Sequence, residues 1–484
     1  VAAGAAAVVF WLNLRSFSVV LEPRMVTALT QGAIVMAASA ALFLIVALLQ
    51  RYGGRRGVWA SWLVTIALAS IAVPLWLRGA PTPQPPALRP VLPARAVPAP
   101  EASRVTVIAV EGGSYELIAA AAAQGRLPNF GRLIDAGATM HLATFRPTSS
   151  EAIWAALATG KLPQKNGIRS AAVYQMERRD DPVAIALLPD FCFATALLRW
   201  DRVREQPVTA ASLQSTPVWT ILHRAGVSVG LVNVPLTNPP PAVDGFVVAE
   251  AYPRAGAAGV WPPDLAADAE AARLALAGDG PLANTLTAMA ERHRDDGRLD
   301  RAREAVARRL RQAHPTQLSI VRFESTDTVG HYFLRYVMPS RFGDVTDDDR
   351  QRLGPVLEAH YAVVDEAIGR AIASLDGDDL LLVVSGFGME PLGPGKRVLE
   401  RLVGDPEVSG SHEAAPDGFL MAYGGQVAPA RLLPRGSVVD VAPTLLHFLG
   451  LPMGRDMDGF ARVDLFQPQF SAARPLTFIP SYDR

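Results

Sequence analysis

The apolar positions of this chain follow two different rhythms. In residues 25–49 (MVTALTQGAIVMAASAALFLIVALL) and 58–77 (VWASWLVTIALASIAVPLWL) no charged residue appears. A helix needs about 20 apolar residues to cross a bilayer. A core helix of a soluble domain normally keeps a polar stripe. Both stretches therefore predict membrane spans, and the shorter run 1–12 (VAAGAAAVVFWL) predicts a partial one. The loop 50–57 carries Arg51, Arg55 and Arg56, which places it on the cytoplasmic side by the positive-inside bias. Everything after residue 78 is then expected to lie extracytoplasmically, in a periplasmic or extracellular space. Residues 80–103 hold eight prolines, a composition that favours extended polyproline II and reads as a linker.

From residue 104 the rhythm changes. Short β-branched runs at 105–110 (VTVIAV), 227–234 (VSVGLVNV), 318–323 (LSIVRF) and 380–385 (LLLVVS) predict buried strands. Helical patterns at 217–226, 301–314 and 360–375 precede the last three. A further helix is predicted in LPNFGRLIDAG, stopped by Gly137. Strand–helix alternation predicts an α/β domain over 104–484, with a central mostly parallel sheet covered on both faces. The segments near 172–215 and 253–300 fit the alternation poorly. They are expected to be insertions over the C-terminal edge of the sheet, where α/β sites lie. The chain thus divides into a transmembrane region (1–79), a linker (80–103) and the α/β domain.

Composition narrows the function. The 484 residues are 50% hydrophobic and carry 46 basic against 46 acidic side chains, with one cysteine, Cys192. That excludes a disordered chain, a disulfide-stapled mini-fold and a strongly basic nucleic-acid binder.

Few residues stand out as chemistry. Asp327 and His331 are four apart in ESTDTVGHYF, so a helix would put both on one face, as zinc ligation requires. His412, in SGSHEAAPDGF, is a third candidate ligand. Ser150, in RPTSSEAIWAALATG, stands at the start of a helical pattern. There it reads as an N-cap or as a nucleophile whose charge the helix dipole favours. Lys161 and Lys165 default to the surface, Trp154 to the core and His141 to a strand, and 296–313 reads as a solvated helix.

Taken together, the segments resemble the alkaline phosphatase superfamily, in its type I phosphodiesterase/nucleotide pyrophosphatase branch. The resemblance covers about residues 104–465. It is carried by VTVIAVEGGSYELI, LPNFGRLIDAGA, PTSSEAIWAALATGKLPQKNGI, GLVNVPLTNPPPAVDGF, DTVGH, VVSGFGMEP, SGSHEAAPDGFLMAYG and SVVDVAPTLLHFLGLPMGRDMDG, in that order. It implies the superfamily sandwich fold and hydrolysis of a phosphate ester between two metal ions, commonly zinc. It implies Ser150 as the nucleophile, and Asp327, His331 and His412 as ligands of one metal. The other metal's positions depart from the pattern. Glu111 stands for an aspartate, and Gly386 and Phe387 stand where an Asp-His pair is expected; Asn166 replaces a frequent histidine. One zinc site is therefore expected and a second is not, with Glu111 at most a weak ligand. Three outcomes fit these residues: a hydrolase working with one metal, a second site rebuilt by Glu390 or Glu413, or an inactive pseudoenzyme. The last would serve as a binding or scaffold subunit of a membrane complex.

Overall fold

The computed structural model describes residues 2–17, 19, 21, 23–53, 103–176, 183–185, 203–275, 294–403, 405–412 and 414–483. The expected span 58–77, nearly all of the proline linker, Cys192 and Glu413 lie outside them. The chain divides into two compact units, residues 1–88 with 172–207, and residues 89–171 with 208–484.

In the first unit, helices Ala2–Phe17 and Pro23–Gly53 pack on each other. A separate three-stranded antiparallel sheet has Ala172–Met176 at its centre, flanked by Val183–Ile185 and Val203–Pro207. The 31-residue second helix contains the whole uncharged run 25–49. Among the described residues no helix is long and apolar enough to cross a membrane.

The second unit is built on a ten-stranded mixed sheet. Its main strands in chain order are β1 (Val105–Val110), β2 (Ala138–Ala143), β3 (Val229–Val232), β4 (Gly245–Val248), β5 (Val260–Trp261), β6 (Leu318–Phe323), β7 (Leu380–Phe387) and β8 (Asp417–Tyr423). Across the sheet they run β2-β8-β7-β1-β6-β3-β4-β5, with Arg431–Leu432 and Gly436–Ser437 adding short pieces to β2. Only β5 and β8 run against the rest. The central strands β1, β6 and β7 are apolar on both faces because helices cover both. Helices Pro128–Ala136, Arg294–Ala313 and Asp347–Ala373 pack on one side, and Ser150–Thr159 and Val218–Arg224 on the other.

Strand periodicity decides which residues reach the site. Ile108, Val110, Val321, Phe323, Leu381 and Val383 enter the core under the long helices. Their alternates therefore face the Ser150–Thr159 side, among them Glu111, Arg322 and Gly386. The expected strands are present, β3 shortened to four residues and β7 extended through Phe387. The helix expected over 360–375 begins thirteen residues earlier, at Asp347. There Thr346 caps it by accepting from Asp349 N at 3.1 Å, and three aspartates favour its positive end.

The charged helix Arg294–Ala313 has the expected solvated face, with Arg298, Arg308 and Arg309 exposed, and it also buries Asp300 completely. The Asp300 carboxylate accepts from Glu324 N at 3.0 Å and Ser325 N at 2.8 Å, and pairs with Arg303 at 3.0 Å. It thereby satisfies amides at the start of helix Ser325–Val337, which carries Asp327 and His331. Burial pushes the Asp300 carboxyl above its ordinary range, opposed by Arg303 and the amide donors. Asp300→Ala strands those donors and is expected to cost about 1–3 kcal/mol, with Asp300→Asn milder. Chemical denaturation of the two variants checks this.

Candidate active site

The site lies at the C-terminal ends of β1 and β6. β1 ends in Glu111, whose backbone N donates to Phe323 O at 2.9 Å. The chain then turns through Gly112 with φ +59°. A Cβ at Gly112 would come within 2.5 Å of Asp327 Oδ1. Glycine is needed here both for the left-handed backbone and for the close approach.

The structure brings Asp327, His331 and His412 together, with one donor atom from each all within 4.8 Å of one another. Asp327 and His331 lie one helical turn apart, with Nε2 to Oδ2 at 3.5 Å. His331 Nδ1 lies 2.9 Å from Gly410 O, and His412 Nδ1 lies 3.0 Å from Thr148 O. A carbonyl can only accept, so Nδ1 carries the proton in both rings and Nε2 remains as the metal-facing lone pair. Asp327 Oδ1 is buried and has no hydrogen-bond partner. An orphaned buried carboxylate oxygen beside two oriented imidazoles fits a divalent, nitrogen-tolerant cation such as zinc. Burial pushes the Asp327 carboxyl up, but the two imidazoles hold it below its usual range. Burial lowers His331, but Asp327 raises it above its ordinary value; burial lowers His412.

Ser150 opens the helix Ser150–Thr159, behind the cap residue Ser149. Its Oγ donates to Glu111 Oε1 at 2.6 Å. Trp154 Nε1, one turn further on, donates to Glu111 Oε2 at 2.6 Å. Trp154 thus holds a site residue as well as filling the core. The second partner of Oε2 is a residue the sequence pattern did not single out. Arg322 Nη1 donates to it at 2.9 Å, both side chains being almost wholly buried. Arg322 is fixed in turn by Asn233, whose O accepts from Arg322 Nε at 2.8 Å. Glu324 and Glu250 lie 3.6 and 4.0 Å from Nη2. Burial pushes the Glu111 carboxyl up to about 7, Arg322 and Ser150 pulling the other way and Asp327 adding to the rise. The signal for Arg322 was visible as a lone arginine inside an otherwise apolar central strand.

The positions of the expected second metal hold something else. A Cβ on Gly386 would sit 2.3 Å from Ile153 Cγ2 and 3.1 Å from Leu157 Cδ1. Phe387 is fully buried with its ring centroid 4.9 Å from that of His412. Glu111 is already engaged by Ser150, Trp154 and Arg322. These residues do not fit a second metal. Among the described residues no second cluster of three ligating side chains is present. Asn166 is buried and structural, donating to Lys161 O at 2.7 Å and accepting from Ile168 N at 2.9 Å. Lys161 is buried rather than on the surface, because Asp456 and Asp483 neutralise it at 2.5 and 2.6 Å.

Residues 105–441 match the family model described as Type I phosphodiesterase / nucleotide pyrophosphatase. The chain belongs to this family. It is a family of phosphoric ester hydrolases within the alkaline phosphatase superfamily. No curated protein matches the chain. In this type I phosphodiesterase relative, the candidate nucleophile and the candidate ligands meet where β1 and β6 end.

Gly386→Asp with Phe387→His restores the donor types expected there but not the space. Fully burying a phenylalanine contributes about 1.5–3 kcal/mol, and part of that is forfeited. The double variant is expected to lose stability and bind no additional zinc. Metal analysis beside thermal denaturation checks this, and an added zinc ion would contradict it.

Proposed function

We propose that the protein is a membrane-anchored phosphate ester hydrolase, facing away from the cytoplasm, that works with a single zinc ion and Ser150 as nucleophile. The observation that carries this reading is the 2.6 Å hydrogen bond from Ser150 to a buried carboxylate, next to an oriented Asp-His-His cluster. Asp327, His331 and His412 would hold the zinc, which would act as a Lewis acid on a phosphoryl oxygen.

The protein's own residues supply the rest. Glu111 accepts the hydroxyl hydrogen bond and is placed to take the proton as Ser150 Oγ attacks phosphorus. The Oγ–P bond forms while the bond from phosphorus to the leaving oxygen breaks, and that oxygen takes a proton from water. The hydroxide left behind attacks the phosphoserine, and the released Oγ recovers its proton from Glu111. Trp154 and Arg322 keep the carboxylate turned toward Ser150 throughout. Free amides at the start of Ser150–Thr159 favour negative charge on the transferring group. The substrate class is a phosphate mono- or diester.

A second reading is favoured by one observation, the apolar filling by Ile153, Leu157 and Phe387 where a second metal would bind. It is an inactive member that serves as a scaffold subunit of a membrane complex. Ser150→Ala separates the two. On the hydrolase reading it lowers turnover of bis(p-nitrophenyl) phosphate about 10³-fold or more while zinc content stays the same. Unaltered protein that turns over no ester with zinc supplied would favour the scaffold.

The anchor rests on the charge-free runs 25–49 and 58–77. A 31-residue helix spans about 46 Å at 1.5 Å per residue, more than the ~30 Å hydrocarbon core. The full chain is expected to stay with membranes through alkaline carbonate extraction. Its 104–484 domain should be cut by protease only from the extracytoplasmic side. Release into the carbonate supernatant would contradict the anchor.

A further inference from the structure

Every residue of β6 is buried, and one of them is an arginine. Such a side chain needs partners that hold its charge. Arg322 has them on both sides of its strand: Glu111 just past β1, Asn233 and Glu250 just past β3 and β4, and Glu324 two residues on. Strand alternation aims Arg322 and Glu111 at the same face of neighbouring strands, where Val110 pairs with Phe323 and Ala109 with Arg322.

We propose that the guanidinium of Arg322 takes the place of a second metal ion, supplying the fixed positive charge that holds the Glu111 carboxylate against the Ser150 hydroxyl. The inference deepens the hydrolase reading and rests on it for its catalytic half. Two observations carry it. The positive group is already in place, 2.9 Å from the same carboxylate that holds Ser150 at 2.6 Å. A divalent ion there would find few ligands, because Gly386 offers only backbone, Phe387 offers no lone pair, and Ile153 and Leu157 fill the space. Even a catalytic zinc site takes three protein donors besides water. A guanidinium instead brings its own N–H donors and stays charged at any working pH. Arg322 touches Glu111 rather than the reacting atoms, so it is a positioning residue.

The test uses the full-length chain in detergent, loaded with excess zinc and freed of unbound metal. The unaltered protein is compared with Arg322→Lys, Arg322→Met and the double variant Glu111→Gln with Arg322→Met. Zinc per chain, melting temperature and the kinetics of bis(p-nitrophenyl) phosphate hydrolysis are measured. One zinc per chain is expected in all four. Arg322→Met should melt several degrees lower, and the double variant should recover most of that loss because no carboxylate is left buried alone. In Arg322→Met, kcat should fall about 100-fold or more with KM within a few-fold, and Arg322→Lys should regain most of it. Two zinc ions in the unaltered protein, a double variant that melts no higher than Arg322→Met, or an Arg322→Met enzyme as fast as the unaltered one would each overturn the inference. If the unaltered protein turns over no ester, the hydrolase reading fails. The zinc count and the melting temperatures then still decide whether Arg322 replaces a metal. No zinc at all would sink the one-metal reading while leaving the arginine to the melting temperatures. Should Arg322→Met fail to fold, a folded double variant supports the inference and an unfolded one overturns it.

Discussion

A carboxylate and a guanidinium buried side by side at the top of a parallel sheet set the terms for everything around them. Removing either Glu111 or Arg322 alone would leave a charge in a nearly water-free interior, a loss of the order of 3–5 kcal/mol in comparable buried pairs. The pair is held by β1 and β6, adjacent strands in register, and by Asn233 just beyond β3. It also fixes the start of the Ser150–Thr159 helix, because Ser150 and Trp154 both donate to Glu111. Thr326 Oγ1 donates to Glu111 O at 2.6 Å, which ties the same residue to the helix of Asp327 and His331. One ion pair thus connects the candidate nucleophile to the candidate metal cradle.

The two halves of the pocket are built on opposite principles. The Asp327 side keeps an unsatisfied oxygen and two imidazoles whose outer nitrogens are fixed by backbone carbonyls, the arrangement of a site awaiting a cation. The Glu111 side leaves no such opening: its carboxylate oxygens are engaged by Ser150, Trp154 and Arg322.

Much of this was legible from residue order. The runs 105–110 and 318–323 are strands to the residue, because β-branched apolar blocks bounded by glycine or polar residues have few other stable fates. Asp327, His331 and His412 stood out only as candidates, their roles implied by resemblance rather than spacing, and the structure brings them within 4.8 Å of one another. Partnership was not legible. Asp300 and Lys161 are charged residues that read as surface and turn out buried, because partners from remote parts of the chain reach them: the amides of Glu324 and Ser325 for Asp300, and Asp456 and Asp483 for Lys161. Arg322 was passed over for a related reason. A pattern of apolar runs registers the strand and ignores its single charge, and only the sheet order, which puts β6 beside β1, reveals what that charge faces.

The central claim is that this pocket holds one metal ion and one guanidinium. Zinc-edge anomalous diffraction from zinc-loaded crystals tests it most directly. A single anomalous peak enclosed by Asp327, His331 and His412, with Arg322 still hydrogen-bonded to Glu111, is the result expected. A second peak beside Glu111 and Ser150, with Arg322 turned away, would contradict the account.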